Sequence, residues 1–78
     1  MKEGTEMKKT WMMEDLDCAH CAMKMEEAIR RLPGVTSVSV NYLSARLTIE
    51  AEEADLPRLF KEAAAICKKI EPDCRLLP

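Results

Sequence analysis

Aromatic residues are scarce in this chain, which has one Trp, one Tyr and one Phe among 78 residues. A surface that stacks bases on aromatic rings is therefore unsupported. Basic residues are not in excess. Twelve Lys and Arg stand against 14 Asp and Glu, a formal net charge of −2, so the positive footprint of a nucleic-acid binder is missing. No apolar run approaches the roughly 20 residues needed to span a bilayer, and direct membrane insertion is not expected. The stretch Met1 to Lys9 is polar and charged, without the apolar core of a secretory signal. The expected location is cytoplasmic.

What remains is an ordinary soluble balance, 47% hydrophobic and 33% charged. The length allows one small domain with a limited core. Residues 1–7 read as a disordered leader and residues 8–78 as the domain. Four cysteines allow three disulfide connectivities. In a reducing compartment, free thiols or metal ligation are favoured over bridges.

Periodicity supplies the elements. Lys8 to Glu14 alternates Trp11 and Met13 with polar neighbours, as a strand does, although Met12 interrupts the pattern. Cys21 to Leu32 reads as a helix with Met25, Ile29 and Leu32 on one face, stopped by Pro33-Gly34. Val35 to Asn41 and Ala45 to Ala51 alternate again and are joined closely enough for a hairpin. Asp55 to Lys69 reads as a second helix, with Asp55 as N-cap, Pro57 in its first turn, and a stripe from Leu59 to Ile70. Cys74 to Leu77 closes the chain as a short strand. The order is strand, helix, strand, strand, helix, strand. That is an α+β, ferredoxin-like βαββαβ sandwich, two helices on one face of a four-stranded antiparallel sheet. Tracing the chain up and down brings the Asp17 to Cys21 loop and the Ile70 to Asp73 loop to the same end.

The chemistry lies in Asp17-Cys18-Ala19-His20-Cys21. A Cys-x-x-Cys at the start of a helix lets two thiolates converge on one ion, and the helix N-terminus is expected to lower both thiol pKa values. Two thiolates suffice for Cu(I). A divalent ion such as Zn²⁺ takes four ligands and accepts a carboxylate beside sulfur. Asp17, as a third and harder ligand, therefore tilts the choice toward Zn²⁺, Cd²⁺ or Pb²⁺; its alternative reading is a helix cap.

The segment Asp15 to Ala22 resembles the heavy-metal-associated (HMA) domain, whose pattern is Gly-Met-x-Cys-x-x-Cys. Asp15 stands in the place of the Gly and Leu16 in that of the Met. The likeness continues through Pro33-Gly34-Val35 and Ile70-Glu71-Pro72-Asp73. The Asp-Cys-x-x-Cys form is similar to the N-terminal domains of zinc/cadmium/lead-exporting P-type ATPases. The resemblance implies a non-catalytic module on the cytosolic face of the membrane. Its partners would be a metal ion, other domains of an ATPase, or a metal donor protein.

Other residues are weighed against plainer roles. His20 between the cysteines reads first as a surface residue. Cys67, on the apolar stripe of the second helix, reads as a small buried hydrophobe. Cys74, Glu71 and Asp73 are auxiliary ligand candidates by position, and Glu71 and Asp73 otherwise read as solvated loop charge. The methionines form no clustered Met-x-x-Met copper site. Two alternatives stand beside divalent metal binding: a stand-alone copper(I) chaperone-like carrier, which Asp17 disfavours, and a dithiol redox protein. The chain looks short for the latter and has no Gly-Pro between its cysteines.

Overall fold

The computed structural model of the chain describes residues 6–16 and 18–77. Its elements are β1 (Glu6–Glu14), α1 (Ala19–Arg30), β2 (Val35–Asn41), β3 (Arg46–Glu52), α2 (Leu56–Ile70) and β4 (Arg75–Leu76), with a 3₁₀ turn at Glu53–Asp55 before α2. The four strands lie in the order β2-β3-β1-β4, every neighbour antiparallel. The expected ferredoxin-like arrangement is what forms.

Alternation decides which face of each strand is buried. Trp11 and Met13 point into the core while Met12 stays 53% exposed, so the interruption in the pattern is an apolar side chain left on the outer face. Leu47, Ile49 and Ala51 of β3 fill the centre of the sheet. Against them pack Met25 and Ile29 of α1 and Leu59, Ala63 and Cys67 of α2. These are the helical i, i+4 positions of each apolar stripe. The Trp11 and Phe60 rings meet at 5.3 Å and 51°, a tilted contact that joins β1 to α2.

Most element boundaries shift by one or two residues from those expected, and three of the differences have a clear physical reason. β1 starts at Glu6, inside the leader expected over residues 1–7. Glu6 and Met7 pair with Glu52 and Ala51, and the Thr36 hydroxyl donates to the Glu6 carboxylate at 2.7 Å. The stabilisation there comes from the ladder, not from burial, so hydropathy gives no sign of it. Residues 1–5 of that leader lie outside the described residues. The first helix starts at Ala19, two residues early, because Cys18 caps it. Asp55 makes no side-chain cap hydrogen bond: its backbone is already helical (φ −89°, ψ −14°), since the 3₁₀ turn feeds directly into α2. Its carboxylate faces Arg58 instead, at 3.7 Å.

Strand direction then locates the ends. β1 and α2 finish where α1, β3 and β4 begin. The 15–18 loop, the 42–45 hairpin turn and the 71–74 turn therefore share one end of the sandwich. The Met13 amide donates to the Ala45 carbonyl at 2.8 Å, which fixes the hairpin turn beside the end of β1.

Candidate metal centre

Cys18 is the N-cap residue of α1. Its backbone is extended (φ −131°, ψ 117°), and its sulfur accepts a hydrogen bond from the Cys21 amide at 3.2 Å. Its carbonyl takes the first helical bond, from the Ala22 amide, at 3.0 Å. A sulfur thus occupies the place that a Ser or Asp oxygen fills in an ordinary capping arrangement. The three-residue spacing of Cys-x-x-Cys is the spacing from cap to third helical residue, so both sulfurs sit at the same helix end. No acidic residue occupies the first turn of α1, which leaves the positive end of the helix dipole to the thiols. Both cysteines are half-buried and unbridged.

The two thiols titrate unequally. The Cys18 thiol is held below its ordinary value, first because the Cys21 side chain donates to it and then because backbone N–H groups do. The Cys21 thiol is pushed up to about 11, first because its proton is held against the Cys18 sulfur and then by desolvation. The expectation that both would be lowered is therefore corrected. Of the two, Cys18 is the thiol that ionises first, with the Cys21 side chain and amide turned toward its sulfur.

The loop before the pair is positioned by two residues. Asp15 has φ 59°, the left-handed region where glycine is at ease and Asp is among the more tolerant of the other residues. This explains why a Gly belongs at that place in the motif and why an Asp can replace it. Leu16 is half-buried and packs against the core, holding the loop down as a longer apolar side chain would.

Asp17, the expected third ligand, lies outside the described residues. Glu71 is close enough for its charge to raise both Cys18 and Cys21. Its Oε1 atom is buried without a hydrogen-bond partner among the described residues. A buried carboxylate oxygen without a donor marks Glu71 as the inward acidic side chain of this turn. Asp73 is exposed in the same turn, and His20 is exposed on α1. Cys67 and Cys74 are 0% and 1% exposed, in the core. They are near neighbours: burial first, and then the charge of Cys74, push the Cys67 thiol up to about 12. Among the described residues, no three His, Cys, Asp or Glu side chains converge closely enough to hold an ion. The capping role of Cys18 has one signal in the sequence, the Cys18 to Cys21 interval.

No helix among the described residues is long and apolar enough to cross a membrane. Comparison with known proteins agrees with the geometry. Residues 10–72 match the model of the heavy-metal-associated domain. The chain is 26% identical over 66 residues to the cadmium, zinc and cobalt-transporting ATPase of Bacillus subtilis (strain 168), covering 85% of this chain and 9% of that protein. It is 40% identical over 43 residues to the zinc/cadmium/lead-transporting P-type ATPase of Escherichia coli (strain K12), covering 55% of this chain and 6% of that protein. It is 30% identical over 64 residues to the copper chaperone CopZ of Enterococcus hirae, covering 82% of this chain and 86% of that protein. The chain thus spans less than a tenth of the transporting ATPases that it matches. Among solved structures, a CopZ metallochaperone superposes with a TM-score of 0.71 at 17% identity, over 91% of this chain and all of that one, a likeness of fold. With the paired thiols at a capped helix start, the βαββαβ frame behind them and the match over residues 10–72, the chain belongs to the heavy-metal-associated domain family and is a metal-binding module.

Proposed function

We propose that the domain binds a divalent soft or borderline ion, Zn²⁺, Cd²⁺ or Pb²⁺, through Cys18 and Cys21, with Asp17 as third ligand. It would pass the ion on, or sense it, for a heavy-metal-exporting P-type ATPase. The observation that carries this reading is the half-buried thiol pair at the N-terminus of α1, where the Cys18 sulfur accepts from the Cys21 amide and its thiol is held below its ordinary value. Glu71, whose orphan oxygen lies on the same side, is the fourth-ligand candidate. A half-exposed site permits ligand exchange, which suits transfer better than storage. The domain itself is read as non-catalytic. Its relatives among zinc-, cadmium- and lead-transporting ATPases support a divalent cargo.

Isothermal titration of Zn²⁺ is the test. The Cys18→Ala/Cys21→Ala variant is expected to lose tight binding, and retention of the wild-type affinity would falsify the assignment. Asp17→Ala is expected to weaken Zn²⁺ by roughly tenfold, about 1.4 kcal/mol, and Cu(I) by much less.

A second reading, a copper(I) carrier, is favoured by the likeness to a copper chaperone of similar length. Equal losses of Zn²⁺ and Cu(I) in Asp17→Ala would support it over the first.

A further inference from the structure

At the opposite end of the sandwich from the thiols, no described strand covers the β4 side of β1. β4 pairs only with Met13 and Glu14, and the Leu77 amide adds one bond to the Met12 carbonyl. Backbone direction in a strand repeats every second residue. The N–H and C=O groups of Thr10 and Lys8 therefore point to the same side as those of Met12, where no strand among the described residues reaches them. Beneath this edge, between β1 and the start of α2, lies a groove of about 780 Å³. Met7, Trp11, Leu56 and Phe60 form its apolar lining, and Lys9 and Lys61 stand along it. Glu53 is the single acidic residue there, so the groove is net positive.

We propose that this edge and groove bind an extended peptide segment of the pattern apolar–x–acidic–x–apolar, added to β1 as a further strand. The N–H and C=O groups of Lys8 and Thr10, which pair with no strand among the described residues, select an extended backbone. Along β1, the side chains on the helix side run Met7, Lys9, Trp11. A neighbouring strand with matching alternation puts one apolar residue beside Trp11 and Phe60, a carboxylate between Lys9 and Lys61, and a second apolar residue beside Met7. Lys8 on the edge discourages pairing with a second copy of this chain, because the same strand would bring like charges together. The site uses neither Cys18 nor Cys21, so it stands or falls independently of the metal-binding reading.

Trp11 is the sole tryptophan and lines the groove, so its fluorescence reports occupancy directly. The probe is an acetylated and amidated peptide, LTETLT, titrated into the intact domain, with LTKTLT as the charge-reversed control. Expected results are a saturable change in Trp11 emission and shifts or slowed exchange of the Lys8 and Thr10 amides by NMR. The control should bind about tenfold more weakly, and Lys61→Glu, at an exposed position, should weaken LTETLT about fivefold. Zn²⁺ affinity should be unchanged by the peptide. Absence of saturable binding overturns the proposal, as does equal binding of the two peptides or amide changes confined to the 15–21 loop. A Trp11 change that depends on protein concentration alone, with a dimer in sedimentation, assigns the groove to a second copy and also overturns it.

Discussion

Cys18 and Cys21 are chemically distinct although they share the first turn of α1. Cys18 accepts from the Cys21 amide and side chain, and its thiolate is stabilised below the usual thiol range; Cys21 holds its proton up to about 11. The expected outcome is that Cys21→Ala moves the first thiolate step of the metal-free domain upward, because the donor that favours ionised Cys18 is gone. Ultraviolet absorbance of the thiolate against pH measures it, and an unmoved first step would remove Cys21 from the account. At this scale the sequence exposed the pair and its helix-start position. It does not expose the cap, because Cys is not among the residues that ordinarily cap helices, so the pattern points to a start at Cys21 instead of Ala19. Nor could it separate Glu71 from Asp73. Both are acidic residues of one turn, and only the three-dimensional path shows that Glu71 turns inward with a buried oxygen while Asp73 faces solvent.

Among the elements, those bounded by strong stop signals were legible. β2 runs Val35–Asn41 as expected, between Pro33-Gly34 and the hairpin turn. Its start depends on Gly34, which has φ 98°. A Cβ there would stand 2.9 Å from Arg58 Nη2 and 3.1 Å from Asp55 Oδ2. That guanidinium donates to the Pro33 carbonyl at 2.9 Å, tying the turn to α2. Gly34→Ala thus meets both backbone strain and a displaced arginine, and should lower stability by about 1–3 kcal/mol in urea unfolding. In an Arg58→Ala background the same substitution should be less damaging, since part of the clash is removed; fully additive losses would count against the contact. Elements held by pairing rather than by burial were harder to read. The first half of β1 is exposed throughout, and β4 spans two residues, too few for any alternation to register.

For the molecule as a whole, the thiols set the alkaline limit of stability. Cys67 is fully buried and its folded-state pKa is raised to about 12 from an ordinary 9.0. Below pH 9 both folded and unfolded states hold this proton, and the full stability is present. Above it the unfolded chain ionises while the fold does not, so stability falls by about 1.4 kcal/mol per pH unit toward pH 12. Cys67→Ala should flatten that slope, at a loss of about 1 kcal/mol at neutral pH for the small cavity left behind; denaturant midpoints from pH 8 to 11 measure both effects. Metal acts in the opposite direction, since an ion held at a thousand times its Kd adds about 4 kcal/mol to the folded state. The partition of four thiols into two half-buried and two enclosed has one more consequence. A bulky maleimide added to the metal-free domain can attach to two sites in the closed molecule and reaches the other two only during an opening of the core. The interval between the second and third mass increments is then a clock for how often this small domain comes apart, written by its own side chains.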